Sequence, residues 1–508
     1  MGKSFVCTCD DVTVEDIRHA IAKGYRDIES VKRYTGFGTG PCQGKNCLRT
    51  VARILEEEAG LSAEQVLPFT PRPPFRAITY GELAKIDPDT VGEIPGPGVP
   101  PHHEAFEGEG PEGFPGAGAH PLRPEGPVPE RAETVIIGGG MLGLALAYNL
   151  AKEGHTDVVV LEKGYLCSGA SGRNGGGIRA QWVSPTNIQI ARRSIELCKN
   201  FARDHKINIW FQQGGYLFLA ADEKTAKMLE QSIPIHNANG VPTRMLAPGG
   251  ARDVVPELDT SRFIAAAYNP EDGTFFPWPF LWGYANDATK LGVKIETFTR
   301  VVGMDVSDGK ITAVRTDRGT IRCNRVINCA GAWSPAVAKL VGVHLPNEPH
   351  RHEICVSEPL KPFLGPMVSV LSNGLYFSQS GRGEIVGGIS DPKEPAGLEM
   401  GSTLRYLARY GRAITQVMPI LGRVKVMRQW AGCYDVTPDN QPILGETPNL
   451  PNFIQCNGFV GHGFMMGPAM GELMAKYLVG KERHEIIDRF NLRRFAEGRL
   501  DQETFIIG

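Results

Sequence analysis

The chain has 508 residues, 54 of them Lys or Arg and 56 Asp or Glu, a length that divides into roughly two or three domains. Its net charge of −2 supplies no cationic footprint for nucleic acid or for an anionic membrane surface. Neither a signal peptide nor a membrane span is expected: MGKSFVCTCDD has no apolar run, and Glu472 and Lys476 interrupt the apolar stretch 464–479. Eleven cysteines spread over such a length suit a reducing cytoplasm rather than a disulfide scaffold.

Residues 1–67 carry Cys7 and Cys9 as a C-x-C pair, and Cys42 and Cys47 within GTGPCQGKNC. Helices are expected around Thr13–Ala22 and Asp27–Tyr34 between the two pairs, and over Leu48–Glu58 after them. Four thiolates gathered by loops at helix ends suit either tetrahedral zinc or a [2Fe–2S] cluster. The C-x-C spacing leans towards iron–sulfur, because zinc more often takes C-x-x-C knuckles. Lys32, Arg33, Lys45 and Arg49 either offset a four-thiolate charge or form a solvated face. Residues 68–130 hold 15 of the 38 prolines and too little apolar surface to offset their ordering entropy. A semi-stiff linker is expected there, with His102, His103 and His120 in solvated loop.

The organising stretch is Thr134–Lys163. Val135–Ile137 reads as a buried strand. Gly138, Gly140 and Gly143 fall at G-x-G-x-x-G spacing and lead into a helix, Met141–Lys152. A second strand, Asp157–Leu161, ends at Glu162. The glycines allow a tight turn and close approach of backbone to a pyrophosphate, and the helix N-terminus offers N–H groups to it. Glu162 can accept hydrogen bonds from a ribose diol. Further glycine-rich junctions follow at Ser168–Trp182, Arg325–Ser334 and Phe453–Gly480, as expected where a long cofactor crosses a sheet edge. Alternating patterns such as GYLFLA and GLYFSQSGRGEIVGGI indicate a mostly antiparallel second domain.

Two resemblances rest on these phrases. CTCDDVTVEDI and GFGTGPCQGKNC resemble the bacterioferritin-associated-ferredoxin type of [2Fe–2S] domain, which implies a cluster on Cys7, Cys9, Cys42 and Cys47. GGGMLGLALAYNLA, GASGRNGGGIR, CAGAWS, WAGCYDVTPDNQPILG and GFVGHGFMMGPAMGELMA resemble the FAD-dependent amine and amino-acid oxidoreductases, which include D-amino-acid oxidase, glycine oxidase and sarcosine oxidase. YFSQSGRGEIVGGI draws the match towards the β-subunit of heterotetrameric sarcosine oxidase. Modules similar to both occur together in hydrogen cyanide synthase, opine oxidase and dye-linked proline dehydrogenase complexes.

The resemblance implies an α/β fold. A Rossmann-like FAD-binding domain takes about 131–200, 285–340 and 430–480; an antiparallel-sheet substrate domain takes about 205–285 and 341–430. A small helical [2Fe–2S] domain precedes them, and 491–508 form a tail. Gly138, Gly140, Met141, Leu142, Gly143, Glu162, Lys163, Ser171, Gly172, Asn174 and Gly175 are implied to hold the adenosine and pyrophosphate. Val301 is placed at the adenine edge, with Ala330 and Gly331 close to the cofactor. Gly432, Gly461, Gly463 and Phe464 fall at the flavin ring, where the helix starting there and His462 favour negative charge; a packed, hydrogen-bonded histidine is the plainer alternative. Arg179 matches the arginine that grips the substrate carboxylate, unless it is an ordinary surface arginine. Met465 stands where the sarcosine enzymes carry a lysine.

Attachment positions for covalent flavin align with Gly432 and Pro277, so FAD is expected without a covalent link; a second flavin, FMN, at a subunit interface is a further implication. The family chemistry moves a hydride from the carbon bearing an amine to the flavin, and positioning supplies most of the rate. A two-electron flavin beside a one-electron cluster reads as a converter feeding an acceptor in a hetero-oligomer. A small amine or amino acid is the expected substrate. Two alternatives stay open: a non-catalytic electron-transfer or assembly subunit, and a glycerol-3-phosphate-dehydrogenase-like enzyme. In the latter the cluster domain follows the flavin domain rather than preceding it.

Overall fold

The structure is a computed structural model that describes residues 3–40, 42–62, 65–66, 69, 72–74, 76–91 and 126–503. A small N-terminal unit packs the helices Val14–Ala22, Ile28–Thr35 and Leu48–Ala59 around Ile17, Val31, Phe37, Val51 and Leu55, all fully buried. Its first helix starts on a reciprocal cap: Thr13 Oγ1 accepts from Asp16 N at 3.2 Å, and the Asp16 carboxylate accepts from Thr13 N at 2.9 Å. Asp27 caps the second helix, which Gly36 ends with φ 85°. The expected helices are all present, within a residue or two of their predicted ends.

The second unit is a doubly wound sheet. Val158–Leu161, Arg131–Ile137, Gly319–Asn328 and Leu450–Asn457 run parallel, and Lys294–Glu296 extends the sheet at one edge. Val158–Leu161 and Val135–Ile137 are continuous apolar runs because the sheet is covered there; Met141–Lys152 and Gly463–Leu478 pack together on one face. Register sets Ile137 beside both Leu161 and Asn328, and Asn328 beside Gln455. The carboxyl ends of the strands therefore open together, where α/β sheets bind ligands.

A third unit is a nine-stranded sheet, antiparallel except where Met367–Val370 runs parallel to Tyr216–Ala220. It meets the linker expectation only in part. Ile78–Thr79 pairs with Lys425–Val426 at the sheet edge, and the following Tyr80 and Leu83 are fully buried, Tyr80 edge-on to Tyr410 at 5.6 Å. A short apolar anchor inside a proline-rich stretch thus joins the sheet, while residues 92–125, with His102, His103 and His120, lie outside the described residues. The expected tail is also partly docked: Arg494 pairs with Asp439 at 2.7 Å, both side chains fully buried.

The N-terminal unit seats on the other two through stacked cations and rings. Arg33 lies 4.5 Å from the Tyr165 ring and 4.0 Å from that of Trp278, and Tyr25 lies 4.5 Å from Trp282. Gln43 donates to the Met427 carbonyl at 2.8 Å, and Arg428 donates back to the Thr39 carbonyl.

Candidate active site

At the open ends of the parallel strands lies a cavity of about 340 Å³. Its wall brings together Gly138, Gly140, Met141, Leu142, Glu162, Lys163, Ser171, Asn174, Val301, Ala330, Gly331, Gly432, Gly461, Gly463 and Phe464. Gly138 adopts φ 114°, a conformation that only glycine takes readily, and a side chain there would strike the Cys329 carbonyl. Gly143 stands one layer back, where a Cβ would collide with the Gly138 carbonyl, so its part is packing helix on turn. Gly172 lies under Trp278, and Gly172 and Gly175 line a neighbouring cavity instead.

Two helices aim their N-termini at this cavity. Neither Gly140 nor His462, the residues preceding them, caps its helix with a side chain, so N–H groups and the positive dipole ends face the cavity. Ser171 Oγ accepts from Met141 N at 2.9 Å, and Asn174 holds the Ser171 carbonyl at 2.6 Å. Glu162 accepts from Gly139 N at 3.0 Å and Gly164 N at 2.8 Å, which fixes its carboxylate at the rim.

Three residues expected to do chemistry sit behind the wall. Arg179 is fully buried and outside the lining: it donates to the Gln181 carbonyl, reaches His462 Nε2 at 3.5 Å, and lies 4.0 Å over the Trp182 ring. The cause is local. Gly177–Ile178 pairs with Gly273–Thr274, and Asp272 anchors Ala180 N at 2.8 Å, which turns Arg179 inward. His462 stands edge-on to Trp182 at 4.6 Å, and burial, helped by Arg179, pushes its pKa well below the ordinary value. Met465 is buried in the helix that follows.

Other residues face the space. His352 Nε2 and Tyr376 Oη are 3.0 Å apart, and His352 stacks on Tyr434 at 4.8 Å. Burial pushes the His352 pKa down to about 4, so the imidazole is neutral at working pH. Gly388 leaves room for this pair, since a Cβ there would lie 2.8 Å from both polar atoms. His352 is the cross-strand partner of Gly432; that register was the missing signal, because the sequence does not tell which distant strands pair.

A second cavity of about 190 Å³ adjoins the first and shares Arg173 and Asn174 with it. Lys32, Arg33 and Arg72 of the N-terminal segment and Arg173, Arg382 and Arg428 of the other units line it, against Glu29 and Glu384. Burial lowers the Lys32 pKa to about 7 and that of Arg72 to about 10. Burial alone would raise the Tyr165 phenol in the same wall, but Arg33, Arg173 and Arg72 pull it below its ordinary value. Pro277 also lies in this wall.

Beyond Thr39, itself in that wall, the cysteines gather. Cys9 lies close enough to Cys42 for the two thiols to influence each other, and Cys7 stands in the same relation to Cys47. Asp10 links them to the cavity, accepting from Thr39 Oγ1 at 3.4 Å and Cys7 Sγ at 3.7 Å. Two thiol pairs in mutual contact are a donor set that suits a four-thiolate group. As they stand, no three His, Cys, Asp or Glu side chains among the described residues form a ready metal-holding group.

The family model for FAD dependent oxidoreductases matches residues 133–477. The chain belongs to that family. The model for the sarcosine oxidase A3 domain matches residues 1–85. Sarcosine oxidase subunit beta of Rhodobacter capsulatus is 31% identical over 385 residues, covering 75% of this chain and 92% of that subunit. Among solved structures, L-proline dehydrogenase from P. horikoshii matches with 35% identity and a TM-score of 0.70, over 74% of this chain and 100% of that one. Glycine oxidase from Geobacillus kaustophilus matches with 25% identity and a TM-score of 0.67, over 72% and 99%. This FAD-dependent oxidoreductase has the glycine turn, the two helix N-termini and the rim glutamate that fit its family's cofactor. Among the described residues, no helix is long and apolar enough to cross a membrane.

Proposed function

We propose that this FAD-dependent oxidoreductase is a dehydrogenase for a small secondary amine or amino acid of the sarcosine, proline, hydroxyproline or opine type. It passes electrons to a [2Fe–2S] cluster on Cys7, Cys9, Cys42 and Cys47. The observation that carries this reading is a row of three sites. The first cavity meets the second at Arg173 and Asn174, and the second meets the cysteine loops at Thr39. Five arginines and Lys32 in the second cavity support an FMN phosphate there, held by charge rather than by a bond, since Pro277 offers no attachment. The resemblance to a protein named subunit beta supports work within a hetero-oligomer.

Bound FAD supplies the acceptor for a hydride from the carbon that bears the amine. The chain's own part is to hold the nucleotide on two helix N-termini and to shape the substrate face. There His352 and Tyr376 offer a neutral hydrogen-bonding pair, which orients a polar substrate group without adding charge. The inward Arg179 favours the second reading, an electron-transfer subunit without its own substrate. Anaerobic mixing of the purified flavoprotein with N-methyl amino acids, prolines and opines decides between the two. Bleaching of the flavin by one class supports a dehydrogenase; a flavin that dithionite reduces but none of them bleaches supports the subunit.

A further inference from the structure

One cation stands between the two cavities. Lys163 and Arg300, the other Lys and Arg residues lining the first cavity, belong to its dinucleotide end beside Glu162 and Val301, and Lys163 lies 4.1 Å over the Trp333 ring. Arg173 stands apart from them, against Gly432: a Cβ on that glycine would meet the Arg173 side chain at 3.5 Å. Its guanidinium is fixed by two carbonyls, Nε donating to Ser168 at 2.9 Å and Nη1 to Ala431 at 3.1 Å. Trp430 Nε1 donates to the Arg173 carbonyl at 2.8 Å and holds the backbone as well. Carbonyls orient a guanidinium without neutralising it, so its charge is felt on both sides. It draws down the pKa of Tyr165 in the second cavity and acts in the same sense on Cys433 in the first, where burial outweighs it.

We propose that Arg173 is a positioning residue that works by charge: set in the shared wall, it favours the anionic state of the group in either cavity and ties the two charges together. This deepens the flavin reading above and rests on it. When the amine becomes an imine it loses two electrons and two protons; one proton travels with the electron pair to the flavin and the other leaves to solvent. The flavin thereby gains one negative charge, which the guanidinium stabilises. An anion in the second cavity draws on the same guanidinium and weakens that help, so filling one cavity alters the redox balance of the other.

The test compares the FAD-loaded parent with Arg173→Met and Arg173→Lys by anaerobic equilibration against a redox dye, with and without inorganic phosphate. At a fixed dye ratio, Arg173→Met should lower the reduced-to-oxidised flavin ratio at least about tenfold, while Arg173→Lys stays within about threefold of the parent. Phosphate should lower the ratio in the parent and leave it unchanged in Arg173→Met. FAD content and thermal melting identify a misfolded variant, and Arg173→Lys then carries the test through its phosphate response. A ratio within threefold of the parent in Arg173→Met, or an equal phosphate effect in both proteins, overturns the coupling. A parent that binds no flavin overturns the functional reading itself.

Discussion

Replacing Arg179 separates an interior role from a substrate-gripping one. Its guanidinium is fully buried, stacked at 4.0 Å over Trp182 and bonded to the Gln181 carbonyl. A desolvated cation–π contact is worth about 2 kcal/mol, and a carbonyl left unpaired in the interior costs about 1–3 kcal/mol. Arg179→Ala also leaves a cavity, so a total loss of about 3–5 kcal/mol of stability follows. Arg179→Met fills the space without burying a charge, and its cost falls to about 1–3 kcal/mol. The assay pairs urea unfolding with steady-state kinetics on a carboxylate substrate. The interior role predicts that Arg179→Met binds FAD and keeps kcat/KM within about threefold of the parent, since 1.4 kcal/mol is tenfold. A folded, FAD-loaded Arg179→Met protein that lost kcat/KM by about 30-fold or more would refute this and return the side chain to the substrate, because truncating a buried charge pair costs about 2–5 kcal/mol.

Three further outcomes follow. FAD should leave the protein completely on acid precipitation, since glycine and proline occupy the attachment positions; yellow colour in the pellet would contradict this. Iron and acid-labile sulfide should be present in equal amounts and fall away in Cys42→Ser, and zinc in their place would show a different four-thiolate site. His352 and His236, both lowered to about 4 by burial, bind protons more weakly folded than unfolded. Stability should therefore be intact above about pH 6.5 and decline as pH falls towards 4, by about 3 kcal/mol per histidine. His352→Gln should flatten that decline in urea titrations, and an unchanged slope means that His352 is not buried and neutral.

The legible parts of the sequence were those whose chemistry is local. The run Val135 to Glu162 declared its strand, turn and helix because the G-x-G-x-x-G spacing, the apolar strand and the terminal acid lie within 30 residues. Each cysteine pair is local in the same way, Cys7 with Cys9 and Cys42 with Cys47, whereas their use as one cluster site is part of the proposal. The substrate face could not be read this way. His352 meets Gly432 only through the pairing of two strands far apart in sequence, and alternation alone does not tell which face turns towards the cofactor. The position of Arg179 after a glycine run suggests reach, whereas its side chain lies inside, beside Ala180, whose N–H is held by Asp272 over 90 residues later. Tyr80 and Leu83 were hidden by the prolines around them. The cationic cavity joins side chains from all three units, and no window of sequence contains it.

The proposed route carries an electron pair from a small amine or amino acid into the first cavity and out through the second towards the cysteines. Anaerobic stopped-flow mixing with sarcosine, proline, hydroxyproline and an opine, followed at the flavin band and by freeze-quench electron paramagnetic resonance, tests it most directly. One of these substrates should bleach the flavin, and the signal of a reduced [2Fe–2S] cluster should rise afterwards. A flavin that dithionite reduces but none of the four bleaches, or one that bleaches while no cluster signal follows, would contradict it.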